Sequence, residues 1–200
     1  PELMASVGME TNAANLLGFM VSYLYGFILL IFPMLFCILR GNALIAKYVD
    51  RGSMVSLAAA PVKRRTIAFT QMGVLVSGIL ALVFYITIVE LICVKSGFPG
   101  ELDIKELLRL NGGLLCLHLF IGGICFLSSC IFSDTKYSVA FGAGIPAFMY
   151  ILQMLFTLFS PDGIIAGENS AIVGAFVLFA GAVMLYVLGM IIFERKDLHI

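Results

Sequence analysis

Five apolar runs, at residues 16–39, 67–94, 114–132, 139–159 and 171–193, leave this chain few ways to fold. Each is close to or beyond the ~20 residues that an α-helix needs to cross the hydrocarbon of a bilayer. Lipid offers backbone N–H and C=O groups no partner, so each run must close its hydrogen bonds internally as a helix. None alternates polar and apolar residues as a barrel strand does. The expected fold is all-α: a polytopic transmembrane helical bundle with five spans, forming a single domain over 1–200. Composition agrees, with 62% hydrophobic residues, 12% charged residues and mean hydropathy +1.10. Soluble domains have about 45–50% and about 25%.

Charge orients the spans. One side carries Arg40, Lys47, Arg51, Lys63, Arg64, Arg65, Lys136, Arg195 and Lys196, the other only Lys95, Lys105 and Arg109. The positive-inside rule places the first side in the cytoplasm. The N-terminus then lies outside and the C-terminus inside a cell membrane. An outer N-terminus with no leader pattern predicts one further span ahead of Pro1, making six in the full subunit. Net charge is zero, so nothing suggests a nucleic-acid partner. The five cysteines lie in or beside apolar runs at no metal-ligand spacing and read as small hydrophobes.

Half of the twelve basic residues fall in one cytoplasmic loop, 40–66. Residues 42–49 extend the first helix past the membrane, and Gly52 ends it. Ser53 is a suitable N-cap for a short helix at 54–60, which Pro61 stops. Lys63, Arg64 and Arg65 lead into the next span. Outside, Ile104, Leu107, Leu108 and Asn111 share one helical face, which predicts a short amphipathic surface helix at 101–110. A tight turn at 133–137 returns the chain inside.

Few polar residues lie at membrane depth. Glu90 and His118 stand at similar depths near the outer ends of their spans and are candidates for a vestibule pair or a proton carrier. Gln153, Gln71 and Ser128-Ser129 read as helix-to-helix hydrogen bonds. Ser138, Gly142 and Pro146, with Ala140 and Gly144, supply small-residue spacing for close helix contact. Pro33 and Pro146 predict kinks. No Walker A motif, zinc-protease motif or intramembrane carboxylate pair is present, which argues against an enzyme.

The cytoplasmic loop, taken with the span order, resembles the permease subunits of type-2 ATP-binding-cassette transporters. The family has an acidic residue and a Gly-Ser/Thr pair, a short helix, then Pro-Val/Ile-x-Arg. This chain has Asp50, Arg51, Gly52-Ser53, Leu57, Pro61-Val62, Lys63 and Arg64 or Arg65. Its end, Phe193-Glu194-Arg195-Lys196-Asp197-Leu198, is also similar to the family's. The resemblance implies a non-catalytic subunit of an exporter in the bacterial cytoplasmic membrane. It implies a second permease subunit, alike or different, and cytoplasmic ATPase subunits that hold the ATP and Mg; this chain itself binds no cofactor. The 53–60 helix would be the coupling helix seated in an ATPase groove, with Asp50, Arg64 and Arg65 at its rim. Two other functions compete: an ion-gradient-driven transporter or channel using Glu90 and His118, and a membrane anchor or sensor that recruits a cytoplasmic partner. No inverted repeat supports the first of these.

Overall fold

The computed structural model describes residues 20–52, 63–97, 104–159 and 168–196, all but a few of them helical, with no strand among them. A π-wound segment, Met20–Ile28, runs into α1, Leu29–Leu44. After a break at Ile45 comes the short α2, Ala46–Asp50. Then follow α3, Arg64–Gly97; α4, Ile104–Ile131; α5, Thr135–Phe159; and α6, Glu168–Arg195. Among the described residues, four stretches are long and apolar enough to cross a membrane: Leu24–Leu44, Arg64–Gly97, Ile104–Ile131 and Val173–Arg195. The run 139–159, expected as a further span, falls within α5.

Lipid-sized side chains cover the outside. Phe32, Leu39, Phe84, Tyr85, Phe148 and Phe176 are each at least 60% exposed. Such a surface would aggregate in water and is satisfied by acyl chains. The bundle is built around α4: 67% of its most apolar 18-residue window is buried, against 17–28% of the corresponding windows in the other three candidate spans. Its largest interface is with α6. Glycines bring these two helices together. A Cβ on Gly122 would stand 2.7 Å from the Tyr186 hydroxyl, and one on Gly123 3.1 Å from the Leu185 Cβ. In return, Phe120 and Phe126 fill the places left by Gly181 and Gly189. Small residues let membrane helices gain dispersion contacts where no hydrophobic effect drives them together.

The surface helix expected at 101–110 needs correction. Over its described part it is not a separate element but the first turns of the 28-residue α4. Gly112 and Gly113 do not break it, because Leu107, Asn111, Leu114 and His118 form one continuous buried stripe. The coupling helix expected at 53–60, with Ser53, Leu57, Pro61 and Val62, lies outside the described residues, as does the Gln153 side chain. Gly52 takes φ +69, the left-handed geometry expected of a helix terminator, and its N–H bonds the Val49 carbonyl. Asp134 starts α5 by accepting the Lys136 N–H at 2.7 Å.

Candidate functional site

Two polar assemblies occupy opposite ends of the bundle. The basic end begins at the break after α1. Ile45 leaves helical geometry (φ −125, ψ −55), which frees backbone donors. The Ser129 hydroxyl of α4 collects them, accepting the N–H of Ile45 at 3.2 Å and of Ala46 at 2.9 Å. Asn42, 2% exposed, completes the joint. Its amide donates to the Ile38 carbonyl at 2.7 Å, and its Oδ1 accepts the Ser138 hydroxyl of α5 at 2.7 Å. Ser128 donates to the Ser138 carbonyl at 2.8 Å. Gly41 and Gly142 make room: a Cβ on either would lie 2.5 Å from the Cys125 Cβ or 2.8 Å from the Asn42 Oδ1. The α1–α2 elbow is therefore braced by α4 and α5 together.

Ser129→Ala strands the Ile45 and Ala46 donors. The expected loss is about 1–2 kcal/mol, read as a lower thermal midpoint in detergent. An unchanged midpoint would remove Ser129 as the brace.

The start of α3 is clamped to the end of α6. The Arg64 guanidinium donates to the Lys196 carbonyl at 2.8 Å. The Lys196 ammonium donates to the carbonyls of Cys130 and Ile131 at 3.2 and 3.0 Å, closing the C-terminus of α4. Burial pushes this ammonium below the ordinary lysine range, and Cys130 acts in the opposite direction. Asp50, Arg51, Gly52, Lys63 and Arg65 are exposed around the undescribed stretch. Arg64, expected as a rim contact, spends its hydrogen bond inside the chain.

At the other end, Glu90 is 5% exposed. Its Oε2 accepts both the Tyr25 hydroxyl at 3.0 Å and the Asn111 amide at 2.7 Å. The Glu90 Oε1 and the Asn111 Oδ1 are buried with no partner. His118 does not join them: its ring nitrogens lie 2.8 Å from the Leu114 carbonyl and 3.3 Å from the Leu30 carbonyl. Glu90 and His118 thus belong to separate hydrogen-bond sets. A cavity of about 650 Å³ opens beside Tyr25, with Arg109, Leu30, Leu117 and Leu178 in its lining. Among the described residues no three His, Cys, Asp or Glu side chains gather as metal ligands.

Asn111→Leu removes the shorter donor to a buried carboxylate and is expected to cost about 1.5–3 kcal/mol. Adding Glu90→Gln recovers part of the loss, because no charge is then stranded. Equal thermal midpoints for the single and double variants would sink this charge argument.

Tyr25, Asn42, Asn111 and Ser138 were not legible as site residues. For Asn111 a signal existed: it shares the helical spacing of Leu107, Leu114 and His118, so a polar residue on that stripe had to be buried. Ser128 and Ser129 do bond neighbouring helices, as expected. The fold and both assemblies define the chain as a helical protein with helices suited to crossing a membrane. No family model, curated protein or solved structure matches it.

Proposed function

We propose that this chain is the membrane-spanning permease subunit of a type-2 ATP-binding-cassette exporter. It catalyses nothing itself. It couples ATP hydrolysis on a separate subunit to substrate export across the cell membrane, with a second permease completing the pathway. In this reading α5 is a span, the basic end is cytoplasmic, and 53–60 is the coupling helix.

The observation that carries the proposal is how both ends of the 53–62 stretch are anchored. On one side it follows an elbow braced by Ser129 and Asn42; on the other it enters α3 beside the Arg64–Lys196 clamp. A force delivered to these two flanks passes into α1 and α3. A coupling element needs that stiffness, because it must bias packed helices between discrete arrangements.

The test is co-purification from detergent of the full-length subunit with the ATPase encoded beside it, followed by an ATPase assay. A stable complex whose permease-dependent activity disappears when 53–65 is scrambled supports the exporter. No complex, with transport persisting under ATP depletion, overturns it.

One observation favours the gradient-driven reading: the buried Glu90 carboxylate with its unpartnered Oε1. A proton-coupled carrier would lose pH-dependent transport on Glu90→Gln. An exporter would keep ATP-dependent transport in the same variant and change only its substrate handling.

A further inference from the structure

A cavity of about 430 Å³ lies at the basic end, between the α1–α2 elbow and α3. Arg40, Lys47 and Arg51 line it from one side, Gln71 and Val74 from the other, with Leu44 between. The break at Ile45 separates Arg40 from Lys47 and Arg51, and the elbow it makes sets all three around the same cavity. All three are exposed, and none of their side chains has a hydrogen-bond or ion-pair partner among the described residues. Three neighbouring positive charges around one concavity repel each other unless an anion joins them.

Depth identifies the anion. The 34 residues of α3 span about 51 Å at 1.5 Å per residue, against roughly 30 Å of hydrocarbon. Centred in a bilayer, α3 overshoots by about seven residues at each end. Gln71, seven residues inside its start, then falls where hydrocarbon gives way to phosphate. Leu44 and Val74 offer apolar wall for the first methylenes of a chain, and the cations and the Gln71 amide offer charge and hydrogen bonds for an oxyanion. A water-borne acidic peptide would have no use for that apolar wall.

We propose that this cavity binds the phosphate of an anionic phospholipid in the leaflet facing the basic end. The proposal requires only that this end sit in such a leaflet; it does not depend on an ATPase partner.

The experiment uses the full chain, purified alone and mixed with micelles holding equal phosphatidylglycerol and phosphatidylcholine, with retained lipid read by native mass spectrometry. Wild type should retain phosphatidylglycerol in preference to phosphatidylcholine by about tenfold or more, since each well-placed Lys or Arg contributes several-fold. The triple variant Arg40→Gln, Lys47→Gln, Arg51→Gln should fall to near parity. A control removing equal charge elsewhere, Lys63→Gln, Lys136→Gln, Arg195→Gln, should keep the preference. No preference in wild type, or equal loss in both triples, overturns the proposal. Displacement of the lipid by millimolar inorganic phosphate would make this a free-anion site instead, and displacement by one equivalent of the ATPase would assign it to that protein. Should the triple variant fail to fold, wild type suffices. Raising ionic strength from about 0.1 M to about 1 M shortens screening from ~10 to ~3 Å and should erase the preference; an unchanged preference overturns the proposal.

Discussion

On the proposed exporter reading, replacing Lys63 and Arg65 together by glutamate is expected to abolish stimulation of the partner ATPase by this chain, a fall of about tenfold or more, equivalent to at least ~1.4 kcal/mol of coupling. Both side chains are exposed at the entry to α3, beside the proposed coupling stretch, so reversing them changes the proposed docking surface without emptying a packed site. Arg64 is deliberately left in place. Its guanidinium holds the Lys196 carbonyl, and its reversal would loosen the clamp between α3, α4 and α6 and mimic uncoupling by partial unfolding. Arg64→Glu should therefore lower the thermal midpoint, whereas the Lys63/Arg65 pair should not. Stimulation at the wild-type level in the paired variant would remove this surface as the docking site.

The second large effect is structural. Gly41→Val is expected to destabilise the bundle by about 3 kcal/mol, the upper end of ordinary overpacking. For a chain of this size that lowers the thermal midpoint by roughly 6–12 °C. A Cβ at Gly41 would stand 2.5 Å from the Cys125 Cβ and within 3.6 Å of its backbone. The obstacle is rooted in a helix backbone, not at the tip of a side chain, so it cannot swing away. Cys125→Gly removes the obstructing atom. The double variant should lose less than the two single changes summed, because residues in contact do not act additively. Strict additivity would mean that α1 and α4 do not meet there.

The helical class was legible because hydrogen-bond closure in lipid permits little else, and long apolar runs announce it. Gly52 was readable as a terminator because only left-handed backbone makes glycine preferable at that place. The glycine seam between α4 and α6 was not singled out. Glycines are frequent in apolar helices, and only the facing Phe120 and Phe126 give Gly181 and Gly189 their role. At the fourth run the expected small-residue stripe divides: Ser138, Gly142 and Pro146 are buried, while Ala140 and Gly144 are exposed. The surface helix was misjudged because 101–110 does look amphipathic. What periodicity within ten residues could not show is that the same stripe continues through Leu114 and His118. Glu90 was recognisable as costly at its depth, but its partners come from α4 and from the π-wound segment before α1. Pairing across helices depends on rotation about each axis, which a single chain of letters does not state.

The central place of α4 has a consequence for how the protein is made. Helices enter a membrane in chain order, and α4 is synthesised before its largest partner, α6. Most of its polar groups face helices already delivered: His118 meets Leu30, Asn111 meets Glu90, and Ser129 meets Ile45 and Ala46. The glycine face that waits for α6 is apolar and rests comfortably in lipid meanwhile. The order of synthesis thus matches the order of need. A chain interrupted after α4 would already have much of the buried polarity of that helix satisfied, and the last helix would close by glycine packing along its length and by the Lys196 clamp at its end.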